Sequence, residues 1–302
     1  MTPPGERLMI VTVGGFSPSD SGKTRLTARL IHALHEIGLE PTVVKPIGSH
    51  NMWQQHFSLH YSLEHRILVG GDAIRLAKAA GAKPEDIQPV DLLLAPPDIT
   101  RYLTRIRDYL ATLESLLSQV VVLRVSRCEG NGVEHLHAVV PEHIEALPPT
   151  LRTIIDELAE RLDPPPITLP SSRLYELMNS GDLLIAADLC TAKLVSGSRL
   201  ALIESFNDVL IPTPTSTKSR LFIVVGPGRA IVYRGDDVVK AASIVSGLKP
   251  GSLRASEVLH LVKPLQVLDV EFAYADDQVG NDVRRLTELL VKMLESDDLY
   301  KG

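Results

Sequence analysis

The chain has 302 residues, 44% hydrophobic and 23% charged, an ordinary globular composition sized for one large domain or two small ones. Its net charge of −6 argues against nucleic acid as a partner, and two cysteines, Cys128 and Cys190, cannot build a disulfide framework, which fits a reducing compartment. The first apolar run, residues 8–13, is too short for a signal-peptide core, and no stretch approaches a membrane span, so a soluble cytoplasmic protein is expected.

Residues 8–13 read as a parallel strand buried on both faces. A Gly/Ser/Pro/Asp loop follows. Residues 23–37 then show helical periodicity, with Leu26, Leu30, Ile31 and Leu34 on one face and Gly38 as the stop. Residues 42–45 read as a second strand, which completes a βαβ unit. Further along, 71–81 and 98–118 read as helices and 119–125 as a strand. Residues 151–162 and 172–178 read as helices separated by the Asp163-Pro164-Pro165-Pro166 break. Residues 183–188, 200–204 and 221–225 read as buried strands. A strand at 230–234 follows the Gly226-Pro227-Gly228 turn, and 283–294 forms a terminal amphipathic helix. The alternation predicts one α/β domain over residues 1–302, with a doubly wound, mostly parallel sheet and a helical insertion at about 131–180.

Residues 17–24, Ser-Pro-Ser-Asp-Ser-Gly-Lys-Thr, match the Walker A pattern except that Ser17 stands where its first glycine belongs, with Gly15 two residues earlier. The chemistry explains the composition. Backbone N–H groups at a helix N-terminus converge on phosphate oxygens, which assigns Ser19, Asp20, Ser21, Gly22 and Arg25 to the nucleotide. Lys23 neutralises the β- and γ-phosphates, and Thr24 offers its hydroxyl to Mg²⁺. ATP and Mg²⁺ are the expected ligands.

Three more segments fall where a parallel sheet gathers strand C-termini and helix N-termini. They are Lys45-Pro46-Ile47-Gly48-Ser49, Gly71-Asp72-Ala73 and Ala201-Leu202-Ile203-Glu204. Thr24, Asp72 and Glu204 are the expected Mg²⁺ ligands. Lys45 is a second cation for the transferred phosphoryl group, and Ser49 joins the expected nucleotide-binding residues. Gly226 and Pro227 either border the adenine or make a tight hairpin turn.

Together these segments resemble dethiobiotin synthetase and the related cobyrinic and cobyric acid synthetases, P-loop ATPases that activate a carboxyl group as a phosphate mixed anhydride. In that group the second strand ends in Lys-Pro-Val followed by a serine, similar to Lys45-Pro46-Ile47-Gly48-Ser49. The next helix opens Asn-Asp-Ala or Ser-Asp-Ala, similar to Gly71-Asp72-Ala73. A later strand ends in a Mg²⁺-binding glutamate, matched by Glu204. The resemblance spans roughly residues 8–98 and 198–235. It implies a P-loop fold and an ATP-dependent ligase or kinase-like activity on a small molecule. Where the group carries a Gly-Ala-Gly-Gly loop after the glutamate, this chain has Ser205-Phe206-Asn207-Asp208, which sets it apart from a strict dethiobiotin synthetase. That replacement leaves room for a regulatory ATPase acting on a protein partner. The Asp-Ser-Gly-Lys-Thr run is also similar to the loop of polynucleotide 5′-kinases, although Lys45-Pro46 stands where those carry an acidic motif. A homodimer is compatible with all of these readings.

Two histidine-bearing groups complete the inventory. His50, His56, His60 and His65 sit in a long connection that suits a lid over a substrate. Their spacing fits no standard zinc ligand pair, and Cys128, Glu129, His135 and His137, a second loose cluster, read as plain loop and strand residues.

Overall fold

The computed structural model describes residues 8–18, 20–130 and 132–299. The chain is α/β and divides into two compact units. The first comprises the described parts of Met1–Pro46, Arg75–Lys83 and Thr191–Gly302, and the second comprises Ile47–Ile74 and Pro84–Cys190.

The first unit is built on strands β1 (Met9–Gly15), β2 (Thr42–Val44), β8 (Leu200–Glu204), β9 (Leu221–Gly226), β10 (Arg229–Arg234) and β11 (Gln266–Asp269), in the order β11-β10-β9-β1-β8-β2. The four strands β9, β1, β8 and β2 are mutually parallel, and β10 and β11 extend the edge as antiparallel ribbons. Every residue of β1, β8 and β9 is buried, as continuous apolar runs require when helices cover both faces. Register sets the positions that matter: Val13 lies opposite Glu204 and Gly15 opposite Val225.

Helix Lys23–Glu36 follows β1 and buries Leu26, Leu30, Ile31 and Leu34, the stripe expected from the sequence. The C-terminal helix Asn281–Leu299 packs on it. Between the two helices lies a buried ion pair. Arg29 Nη1 and Nη2 donate to Asp282 Oδ2 and Oδ1 at 2.9 and 2.8 Å, and Arg29 Nε donates to the Gln278 carbonyl at 2.7 Å. Asp282 also accepts from the Glu271 amide at 3.0 Å. A guanidinium satisfied on several edges tolerates this burial; a lone one would not.

The second unit has its own sheet, β3-β4-β5-β6-β7, made of β3 (Ile47–Asn51), β4 (Val90–Leu94), β5 (Val120–Arg127), β6 (Glu134–Val139) and β7 (Ile167–Thr168). Pairing is mixed: β3–β4 and β6–β7 are parallel, β4–β5 and β5–β6 antiparallel. Two sheets thus stand where one doubly wound sheet is expected. The 131–180 segment, expected to be a helical insertion, supplies β6 and β7 to a sheet that begins at residue 47. Residues 183–188, expected as a strand, lie inside helix Asp182–Val195. Its buried residues Leu183, Ala187 and Cys190 follow helical spacing, while Ile185 and Leu189 face solvent. Residues 98–118 are not one helix but a short helix, Ile106–Glu114, between two 3-10 turns.

Cys128 and Cys190 form a disulfide across 62 residues of sequence, within the second unit. Closing a loop of that length removes conformational entropy from the unfolded chain worth roughly 4 kcal/mol at 25 °C in the chain-entropy account. Among the described residues no helix is long and apolar enough to cross a membrane.

Asp282→Ala leaves Arg29 buried with its principal counter-charge removed. It should lower the unfolding free energy by about 3–5 kcal/mol, measured as the shift in urea midpoint. A shift no larger than a surface substitution gives would show that the pair does not hold the two helices together.

Candidate functional site

The end of β1 and the start of the following helix shape a tight loop. Asp20 and Gly22 both adopt positive φ, 52° and 90°. Gly22 is the N-cap, and a glycine there takes the left-handed conformation without a Cβ penalty. Gly15 is required for a different reason. A Cβ on it would come within 2.5 Å of Ser21 Oγ, 2.8 Å of Lys23 Nζ and 3.2 Å of the Asn207 carbonyl oxygen. Gly15, the last residue of β1, therefore provides the close approach that the missing glycine at position 17 would be expected to provide. Ser19 lies outside the described residues.

The structure brings four sequence-selected residues of the first unit to one end of its sheet. Glu204, fully buried at the end of β8, is the centre. Thr24 Oγ1 donates to Glu204 Oε1 at 2.7 Å, and Lys45 Nζ donates to the same oxygen at 2.8 Å. Lys45 also donates to the Ser205 carbonyl at 3.1 Å. The second carboxylate oxygen, Glu204 Oε2, is buried with no hydrogen-bond partner among the described residues, and so is Ser205 Oγ. Buried polar atoms without partners are few in folded proteins, and those that occur cluster where a ligand, ion or water completes them.

Lys23, itself buried, donates from Nζ to the Asn207 carbonyl at 2.8 Å and to Ser21 Oγ at 3.3 Å. Asn207 has φ of 47°, the left-handed region in which asparagine is among the more tolerated side chains. The Ser205-Phe206-Asn207-Asp208 segment is thus part of the site through its backbone. No sequence signal marks Asn207 beyond its place after the glutamate. Asp208 anchors the segment by an ion pair to Arg254 at 3.2 Å.

The remaining candidates are carried by other elements. Arg25, which directly follows Thr24, donates from Nη1 to the Ala273 carbonyl at 3.2 Å. Gly226 and Pro227 form the hairpin turn between β9 and β10, with Gly226 paired to Arg229. The Phe16 amide, just past β1, donates to the Val225 carbonyl at 2.9 Å. Ser49, on β3, and Asp72, in the first turn of helix Gly71–Ala80, belong to the second unit.

The donor set fits Mg²⁺. One hydroxyl and one carboxylate with an unused oxygen suit an ion that takes one or two carboxylates and fills its remaining positions with phosphate oxygens and water. Among the described residues no three His, Cys, Asp or Glu side chains gather as a metal cage.

Three histidines of the second unit sit among polar groups of that unit. His50 Nδ1 lies 3.2 Å from Asp91 Oδ2 without hydrogen-bond alignment, and both groups are buried. Leu68 N donates to His137 Nε2 at 3.3 Å, so Nδ1 carries the proton toward the Pro164 carbonyl at 2.9 Å. His135 Nδ1 accepts from Ser126 Oγ at 3.0 Å. Burial, followed by the neighbouring Arg124 charge, pushes His135 down to about 4. Burial likewise takes His137 to about 4, against the bond to Pro164.

Comparison with family models, curated proteins and solved structures finds no match to this chain.

Two outcomes follow from this geometry. Gly15→Ala should lower the urea midpoint, because the Asn207 backbone oxygen cannot swing aside as the Ser21 and Lys23 side chains can, and should weaken the expected triphosphate binding about tenfold or more by displacing Lys23. Equal binding by the variant in calorimetry would show that the loop does not need this close approach. For the histidines the sign is fixed by linkage. The unfolded rings protonate near 6.5 and the folded ones near 4, so the unfolded chain binds more protons in between. Their stabilising contribution is complete above about pH 6.5 and is lost as pH falls through about 4. Urea unfolding at pH 7 and pH 5 should show lower stability at pH 5, and His137→Asn should reduce the difference while His135 keeps its share; a flat profile in the unaltered chain would contradict it.

Proposed function

We propose that the chain is an ATP- and Mg²⁺-dependent P-loop enzyme, similar to the dethiobiotin synthetase group, that activates a carboxylate or similar oxygen of a small molecule by phosphoryl transfer. The observation that carries this reading is the shared carboxylate. A threonine after Gly-Lys and a lysine from the neighbouring strand end both donate to Glu204 Oε1, while Oε2 stays unpartnered. A structural ion pair would more readily satisfy both oxygens; a half-satisfied buried carboxylate suits a site that another ligand completes.

In this reading the backbone N–H groups around Ser21 and Gly22 cradle the phosphates at the helix N-terminus. Lys23 leaves the Asn207 carbonyl for the β- and γ-phosphates. Thr24 and Glu204 would hold Mg²⁺, which when bound offsets charge on the phosphates and orients the terminal group. Lys45, already beside Glu204, is a second cation for the charge that develops on the transferring group. The transfer breaks the bond between the terminal phosphorus and its bridging oxygen, forms one to the acceptor oxygen, and releases ADP.

Lys23→Ala should reduce ATP turnover by about 100-fold or more, as expected when a cation on the transferring phosphates is removed. The measurement is ADP release with Mg²⁺ present, across a panel of small carboxylates. Turnover by the variant at the unaltered rate would remove the proposal.

A further inference from the structure

The segment between β11 and the C-terminal helix carries a feature that the phosphate site does not use. Phe272 and Tyr274 are 78% and 88% exposed. Their rings meet edge to face with centroids 5.2 Å apart. Large aromatic side chains usually bury much of their area, so two exposed together on one loop point to a contact surface.

The loop that presents them is held firmly. Arg25 Nη1 donates to the Ala273 carbonyl at 3.2 Å, and Arg29 donates to the carbonyls of Gln278 and Glu271 at 2.7 and 3.3 Å. The Tyr274 amide donates to Gln278 Oε1 at 3.2 Å, and Asp276 pairs with Arg75 at 3.0 Å. Residues four apart share a helix face, so Arg25 and Arg29 lay this loop along one side of helix Lys23–Glu36. Ala273, the residue between the two rings, is therefore fixed beside the first turn of that helix. The arginine that fixes it directly follows Thr24.

We propose that Phe272 and Tyr274 form a stacking platform for the base of the bound nucleotide. The proposal rests on the nucleotide reading above. A nucleotide whose phosphates sit at the N-terminus of this helix must find room for its sugar and base beside the loop and the first turn, and the platform stands beside that turn on an anchored loop. Flat π-faces suit a heteroaromatic base. The acidic residues around the platform, Glu271, Asp276 and Asp277, argue against an anionic membrane or a nucleic-acid backbone as the occupant.

The test uses the full chain and two probes, the Mg²⁺ complex of a non-hydrolysable ATP analogue and that of inorganic tripolyphosphate, each titrated calorimetrically. The unaltered chain should bind both, the analogue more tightly. The double variant Phe272→Ala/Tyr274→Ala should weaken the analogue about tenfold or more, leave tripolyphosphate unchanged, and melt at the same temperature. Tyr274→Phe should keep full affinity for the analogue. Equal loss for both probes, or no loss for either, would overturn the platform while leaving the phosphate site standing. Failure of the unaltered chain to bind either probe would overturn the nucleotide reading and the platform with it.

Discussion

The first unit is organised around one buried negative charge. Glu204 sits at the end of a strand whose other residues are all apolar, between β1 on one side and β2 on the other. A carboxylate in that position is unfavourable unless neighbours compensate it. The sheet supplies the neighbours by topology. β1 leads into the loop that delivers Thr24, and β2 ends one residue before Lys45. Both donors reach the same oxygen. Parallel strands are needed for this, because only then do the three strand ends fall on the same side of the sheet. The helix that begins at Lys23 is in turn held by the Arg29–Asp282 pair to the C-terminal helix. Chain segments almost two hundred residues apart thus converge on a few oxygens.

The second unit uses its polar interior differently. Asp91, Arg124 and His137 occupy facing positions on three neighbouring strands, so the pleat places a row of polar groups across the sheet. Arg124 is fully buried and burial lowers its affinity for its proton to about 10, partly restored by Asp91. It keeps its charge at neutral pH and adds to the depression of the neighbouring histidines, which burial chiefly causes.

What the sequence made legible follows from burial. β1, β2, β8, β9 and the helix after β1 are visible because each is either uniformly apolar or regularly periodic. The grouping of Lys23, Thr24, Lys45 and Glu204 is legible because parallel topology constrains where strand ends go. β3 is hidden because it alternates half-buried and buried residues and includes Ser49 and His50. β4 is wholly buried but flanked by Pro89 and the Pro96-Pro97 pair, so it reads as a proline-rich connection. The helix at Asp182–Val195 is mistaken for a strand because Leu183 to Ala187 is a short apolar run, and such runs do not distinguish the two periods. The division into two sheets follows from these losses. The Asn207 carbonyl could not be foreseen, because a backbone oxygen carries no side-chain signature.

That carbonyl has a consequence for selectivity. With Lys23 already satisfied by Asn207, an incoming anion does not find a naked cation; it must exchange one acceptor for another. The gain is only the difference between a neutral and a charged partner, since charge-assisted hydrogen bonds are roughly twice as strong as neutral ones. A singly charged anion touching the lysine alone would displace a well-placed carbonyl for little return. An anion with several charged oxygens, able to engage the loop amides and Lys23 together, gains from every contact at once. In the nucleotide reading proposed above, the parked lysine would act as a threshold that discriminates polyphosphates from lesser anions.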